Sequence, residues 1–444
     1  MSCEVGIGLL GFGNVGSGVA QLIARNGPEI EAKTGLKLVI RKALVRNTEN
    51  RIAPDGIGLT ISPSEVLFDS EVDVIVEVMG GLEPAQSLVK SALLRGKSVI
   101  TANKTLIAES GLELQQIAEQ NGIFLRYEAA VCGGIPLIRM LKQGLAANQI
   151  SSMVGILNGT SNFILSKMHS ERMGYEAACN LARENGYAEP DPAFDVDGTD
   201  VVQKLSILIE DVFRISLPWS EIPHSGITYL HSHDIEAAEE LGYVIRLLAI
   251  ADIGENGLDA RVHPAFVPQQ HPLAHVQGAD NAVLIEGNAV GSQMVSGAGA
   301  GPLPTASAIL SDVLEVVAGK GTAADVISPR LHDKQHQLPE SGFYIRVPIP
   351  DRPGAIGSLA TILADYGISI SHATAVLNEN RIGEGQVRML THPVTFETME
   401  TAMRAIRLRP ELQGEPVMIP LYCDQGESSG SNRDHEEKQL VMVQ

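Results

Sequence analysis

The run Glu4–Leu10 leads into Gly11-Phe12-Gly13-Asn14-Val15-Gly16, and a helical stretch, Val19–Arg25, follows. A Gly-x-Gly-x-x-Gly spacing wedged between a strand and a helix leaves the chain few options. The first glycine permits the tight turn, the second lets backbone approach a pyrophosphate, and the third allows close helix–strand packing. Phosphate then sits at the helix N-terminus, where free N–H groups and the dipole favour an anion. The first domain is therefore expected to be a dinucleotide-binding βαβ unit, with Gly11, Phe12, Gly13, Asn14, Val15 and Gly16 at the cofactor.

The residues that follow extend the pattern. Leu36–Val45, Val72–Val78 and Ser98–Thr101 are short apolar runs, the last two followed by a turn and a helical segment, which implies parallel βαβ units. The end of the second strand selects between nicotinamide cofactors, because an acidic side chain there binds the NAD ribose and an arginine suits the NADP 2′-phosphate. Val45-Arg46-Asn47-Thr48 offers Arg46 and no acid, which points to NADP or dual use, the alternative being a solvated surface arginine. Thr101, Asn103 and Lys104 stand at the end of another strand, where polar residues face the ligand crevice. From the residues alone Lys104 is equally a loop lysine and a functional one.

Charge narrows the partners. The chain has 33 basic and 53 acidic residues and a net charge of −20, which argues against a nucleic-acid backbone or an anionic membrane as partner. An acidic body binding a polyanionic cofactor must do so through local donors. Six glycines fall within the first 18 residues and five between Gly287 and Gly301, in segments expected to approach the cofactor. The four cysteines form no CxxC pair, no stretch reaches the ~18 apolar residues of a membrane span, and the N-terminus has no basic region. A cytoplasmic protein is expected.

Beyond residue 135 helical patterns dominate (Glu176–Asn185, Val201–Phe213, Ile235–Ala251), with an apolar strand at Ile150–Leu157. Ser296–Pro304 is dense in glycine and proline and leads into a helix near Thr305. Residues 328–341 read as a linker. A strand at Phe343–Ile349, a turn at Asp351–Gly354, a helix at Ala355–Tyr366 and a strand at Ile368–Val376 follow, and the last twenty residues read as a disordered tail. Asp200 and Lys204 lie one turn apart on an otherwise apolar helix, either as an ordinary i,i+4 ion pair or as functional groups. His231-Ser232-His233-Asp234 lacks partners at metal spacing, and Ser232 or Asp234 is better read as a helix cap.

Several segments together resemble the homoserine dehydrogenase family, over roughly residues 4–424. GLLGFGNVGSG and VITANKTLIA match its nucleotide domain, YEAAVCGGIPLI and ILNGTSNFIL the junction, GYAEPDPAFDVDGTDVVQKL its most diagnostic stretch, and GAGAGPLPTASAILSD a segment returning to the cofactor. The resemblance implies an α/β protein. Residues 1–135 would form a Rossmann domain with a return segment near 296–320, and 136–328 an α+β catalytic and dimerisation domain. Residues 342–424 would form a βαββαβ ACT domain and 425–444 the tail. It implies NAD(P)-dependent interconversion of L-aspartate 4-semialdehyde and L-homoserine by a homodimer or homotetramer, without the kinase half of bifunctional relatives.

Lys204 is then the proton donor and acceptor, favoured over Lys104, the second family lysine. Burial among apolar residues is expected to lower the Lys204 pKa. Glu189, Asp200 and Gly186 would line the substrate site, and Gly301 the cofactor. Glu128 with the main-chain oxygens of Val131, Gly133 and Ile135 resembles the family's sodium-binding turn, while Cys132 within it reads as packing. The ACT resemblance implies threonine feedback, with threonine near Gly354 and Ala355.

Overall fold

The computed structural model describes residues 3–49, 53–54, 56–188, 191–254, 257–319, 330–331, 340–377, 384–410 and 412–423. The expected tail lies outside these residues, as does most of the expected linker.

The N-terminal unit runs β1 (Cys3–Leu10), α1 (Asn14–Thr34), β2 (Leu36–Leu44), β3 (Gly58–Thr60), α2 (Pro63–Leu67), β4 (Val74–Glu77), α3 (Ala85–Leu93), β5 (Ser98–Thr101), α4 (Lys104–Gln120) and β6 (Leu125–Arg126). Its six strands form a parallel sheet in the order β3-β2-β1-β4-β5-β6. That order reverses beside β1, so the crevice at the strand carboxyl ends opens over the glycine loop.

The second unit comprises α5 (Leu137–Arg139), β7 (Ile150–Ile156), α6 (Gly159–Ser170), α7 (Tyr175–Glu184), α8 (Ala193–Val196), α9 (Thr199–Phe213), β8 (Ile215–Ser216), α10 (Ser232–Glu240), β9 (Tyr243–Gly254), β10 (Gly257–Pro268), β11 (Asp280–Gly287) and β12 (Gly291–Ala298). Five of these strands make an antiparallel sheet, β10-β9-β7-β11-β12. The expectation of one helix over 235–251 is overturned here. α10 ends at Glu240, Gly242 turns the chain at φ 79°, and the remainder is β9. Ile245–Ala251 are all buried, with alternate residues entering two different cores. A strand covered on both faces shows a continuous apolar run, which periodicity does not separate from a buried helix.

From β12 the chain returns as α11 (Pro302–Val317), whose Ala306, Ile309 and Val313 share a core with Ile7, Leu9 and Val19. A short β13 (Arg330–Leu331) pairs with β8. The last unit is β14 (Phe343–Pro350), α12 (Ala355–Asp365), β15 (Ile370–Leu377), β16 (Glu384–Thr391), α13 (Phe396–Arg407) and β17 (Val417–Pro420), a βαββαβ order with an antiparallel sheet β15-β16-β14-β17. It is fastened to the second unit from inside. Arg346 on β14 donates to both carboxylate oxygens of Asp234 on α10, at 2.7 and 3.2 Å, and the Tyr344 hydroxyl reaches the same group at 3.1 Å. Asp234 also accepts the His231 N–H, so it caps α10 as well as pairing across the junction. Tyr344 stacks on Phe266 of β10, ring centroids 4.7 Å apart.

Among the described residues no helix is long and apolar enough to cross a membrane.

Candidate active site

The glycine loop is shaped by close approaches. Gly11 adopts φ 108°, and a Cβ on Gly16 would stand 2.5 Å from the Gly11 carbonyl oxygen. Gly13, the N-cap of α1, has no neighbour within 4 Å of where its Cβ would lie, and with Asn14 it is exposed at the loop tip. Phe12 is buried with Val15 packed against the same core, anchoring the loop from below. Arg46 is exposed just past β2, two residues beyond Leu44, whose carbonyl accepts the Gly11 N–H at 3.2 Å. Gly301 is the N-cap of α11. The next residue, Pro302, lies so near α1 that a Cβ on Gly18 would be 2.5 Å from its carbonyl oxygen, which brings the return segment beside the loop.

At the other side of the crevice Thr101 and Asn103 are structural first. Asn103 caps α4 by accepting the Leu106 N–H at 3.1 Å and donates to the Gly81 carbonyl at 2.6 Å. The Thr101 hydroxyl donates to Glu77 at 2.6 Å and accepts the Asn103 N–H. Glu77 is fully buried, and burial raises its pKa. This network aims Lys104, the first residue of α4, toward the second unit.

There the charged groups meet. Asp200 on α9 is 3% exposed; its Oδ1 lies 3.0 Å from Lys104 Nζ, and its Oδ2 lies 2.7 Å from Lys204 Nζ and accepts Asn158 Nδ2 at 2.8 Å. One carboxylate thus ties a lysine of the nucleotide unit to a lysine of the second unit. Burial works against the Asp200 charge, but the two lysines and Asn158 outweigh it and hold the carboxyl down at about 2.

The expectation that burial would lower the Lys204 pKa is reversed. Burial does act in that direction, yet the Asp200 carboxylate in contact with the ammonium outweighs it and the pKa is raised. Lys204 also donates to the Leu157 carbonyl at 2.7 Å.

Sequence reasoning assigned no role to Asn158, Asp195 or Asn281. Asn158 lies two residues past β7 and caps α6 through the Ser161 N–H; its amide nitrogen bridges Asp200 and Asp195, the latter at 2.9 Å. Burial, followed by the charge of Asp200, raises the Asp195 pKa. Asn281, fully buried on β11, donates to the same Leu157 carbonyl that receives Lys204. The one local signal was an asparagine at a strand end with a helix behind it, an N-cap position.

Gly186 stands at φ 73° just past α7, where the Gly186 and Tyr187 N–H groups close the helix onto Arg183 and Ala182, and Thr160 Oγ1 holds the Tyr187 carbonyl at 2.7 Å. Glu189 lies outside the described residues.

The turn after β6 is fully engaged on one side. Both Glu128 oxygens accept N–H groups at the start of α5, from Ile138 and Arg139, each at 2.8 Å. Glu128, Val131 and Ile135 are buried, and Gly133 follows Cys132 in the left-handed region. Burial pushes the Cys132 thiol up to about 11, as befits a packing residue. Among the described residues no group of three or more His, Cys, Asp or Glu is placed to hold a metal ion.

Comparison with known proteins matches this layout. A family model for the homoserine dehydrogenase NAD-binding domain covers residues 11–128, and one for homoserine dehydrogenase itself covers 136–314. A homoserine dehydrogenase of Pseudomonas aeruginosa is 36% identical, with 94% of this chain and 98% of that protein aligned. The crystal structure of a homoserine dehydrogenase from Thiobacillus denitrificans superposes with a TM-score of 0.86 at 38% identity, covering 94% of this chain and 98% of that one. A hyperthermophilic archaeal homoserine dehydrogenase solved in complex with NADPH superposes with a TM-score of 0.59 at 26% identity, over 71% of this chain and 98% of that one. With both units matched and relatives aligned almost end to end, the chain belongs to the homoserine dehydrogenase family of oxidoreductases.

Proposed function

We propose that the chain reversibly reduces L-aspartate 4-semialdehyde to L-homoserine with NADPH or NADH, the Lys204 ammonium serving as the acid. The observation that carries this reading is the Asp200 bridge between Lys104 and Lys204 across the crevice. A bound nicotinamide supplies a hydride to the aldehyde carbon. Negative charge then develops on the aldehyde oxygen; the buried Lys204 ammonium, whose pKa is raised by Asp200, stabilises that charge and gives up a proton to it, leaving the neutral amine. Lys104 would stand beside the nicotinamide and the reacting group, with Asp200, Glu189 and the Gly186 backbone around the substrate. Gly11–Gly16, Thr101, Asn103 and Gly301 would line the cofactor, and Arg46 would meet a 2′-phosphate. NADPH oxidation by wild type and Lys204→Ala with aspartate semialdehyde tests this. No turnover by wild type ends the proposal, and an unchanged rate in the variant removes Lys204 from its role.

The same reading extends to three further features. The turn after β6 offers a hard, all-oxygen donor set that suits sodium. Each Glu128 oxygen accepts one N–H and keeps a second lone pair, so Glu128 with the Val131, Gly133 and Ile135 carbonyls would hold the ion. The βαββαβ unit has the strand order of an ACT domain, and its exposed Asp351–Gly354 turn opens α12, where threonine would bind as a feedback inhibitor. A rate indifferent to saturating threonine ends that part. A cytoplasmic homodimer or homotetramer fits the exposed edge strand β12, which pairs with β11 alone; sedimentation velocity reads the assembly.

A further inference from the structure

A second charged feature lies at the far end of α6, a helix roughly 18 Å long that carries the Asn158 cap at its start. Between the C-terminal turn of α6, β9 and the segment Gln269–Gln277 is a cavity of about 510 Å³, lined by Arg246, His169, Ser170, Gln269, Gln277 and Glu239 among others. Arg246 is 3% exposed and forms no ion pair among the described residues. Of the five guanidinium N–H groups, two donate to the Ile245 and Ala274 carbonyls, and Nε has no partner. A buried cation without a counter-ion is costly, and a packed apolar side chain would serve the fold at least as well. We propose that this cavity binds a small monocarboxylate anchored by the Arg246 guanidinium.

The charge balance selects the class. His169 accepts the Ile245 N–H at Nε2, 2.9 Å away, which places its own proton on Nδ1, toward Glu239 at 3.5 Å. Burial, aided by the Arg246 charge, holds His169 at about 3, so it is neutral at physiological pH. Burial alone acts on Arg246, pulling it to about 10 and leaving it fully charged. Glu239 is met by Arg172 at 3.4 Å, so Arg246 is left as a single uncompensated positive charge in the cavity lining, which matches one carboxylate and falls short of a phosphate dianion.

Carbon-13 acetate, titrated by NMR with inorganic phosphate as the competing anion, reads the site directly. Wild type is expected to bind one acetate per chain that is lost, or at least tenfold weaker, in Arg246→Met and in Gln269→Trp. The second variant fills the exposed mouth and leaves the buried arginine in place. Arg246→Met without acetate is expected to melt no lower than wild type. Equal acetate binding in all three proteins overturns the proposal, and so does phosphate binding as tight as acetate. An Arg246→Met variant that changes the subunit assembly, with no acetate bound by wild type, overturns it too, since the arginine then serves a contact between copies.

Discussion

Asp200→Asn isolates the charge at the centre of the site. The wild-type carboxyl is held at about 2, against an ordinary 3.8, by Lys204, Lys104 and Asn158 prevailing over burial. At ~1.36 kcal/mol per pH unit that difference is about 2 kcal/mol of folding stability. Because the folded pKa lies below the unfolded one, this stability is fully present above about pH 4 and is lost as the pH falls through 2. Asparagine keeps the shape and removes the charge. Lys104 is 32% exposed at its side chain and can turn to water, whereas Lys204 is left in a buried setting with neutral acceptors, the Leu157 carbonyl and the new amide oxygen, and no carboxylate in contact. Breaking one partner out of a buried pair costs about 3–5 kcal/mol. A loss of about 2–5 kcal/mol in urea unfolding at pH 7 is therefore expected, with m unchanged. The kinetic consequence has a definite sign. Without Asp200 the largest opposition to burial is gone, with the weaker influences of Cys132 and Asp195 remaining, so the Lys204 pKa falls, the alkaline limb of aldehyde reduction moves to lower pH, and the rate at neutral pH falls by roughly 10²-fold or more. An Asp200→Asn protein within about 0.5 kcal/mol of wild type, the range of inert surface changes, with an unmoved alkaline limb, would refute the reasoning.

Other perturbations test the surrounding frame. Arg46→Ala is expected to raise the apparent KM for NADPH more than for NADH in steady-state assays; equal effects contradict a 2′-phosphate contact. Gly18→Ala places a methyl 2.5 Å from the Pro302 carbonyl oxygen and must push α11 from α1, at a cost of about 1–3 kcal/mol in thermal unfolding, with weaker cofactor binding by fluorescence titration. Unchanged values for both would show that the helices yield freely. Asp234→Ala strands the buried Arg346 guanidinium and removes the Tyr344 partner. Calorimetry is expected to show a loss of about 3–5 kcal/mol, with the C-terminal unit becoming sensitive to protease first; simultaneous digestion of all units would argue against a junction role.

What the sequence disclosed depended on whether a residue's task was local. The Gly11–Gly16 spacing encodes a turn, an approach and a packing contact within six residues, so its geometry was legible at once. Gly186 ends α7 for equally local reasons. The run after Gly242 was not legible, because its true state depends on β7 and β10 pairing with it from either side and on a core above and below. The Lys204 expectation failed for a related reason. Its i,i+4 spacing from Asp200 was visible and its burial foreseeable, but the sign of the shift depends on which of two opposing effects is larger. Asn158, 42 residues from Asp200, and the Leu157 carbonyl, 47 from Lys204, complete the hydrogen bonding that makes a buried pair tolerable. Asn281, 124 residues from Leu157, steadies the same carbonyl from β11. The charged pair therefore lies on one turn of α9 and sets its own protonation, while the groups that complete its surroundings come from the loop after β7, from α4 and from β11. Such a pair is chosen locally and enclosed by topology, so motif spacing can locate it before the fold reveals whether burial or the partner charge prevails.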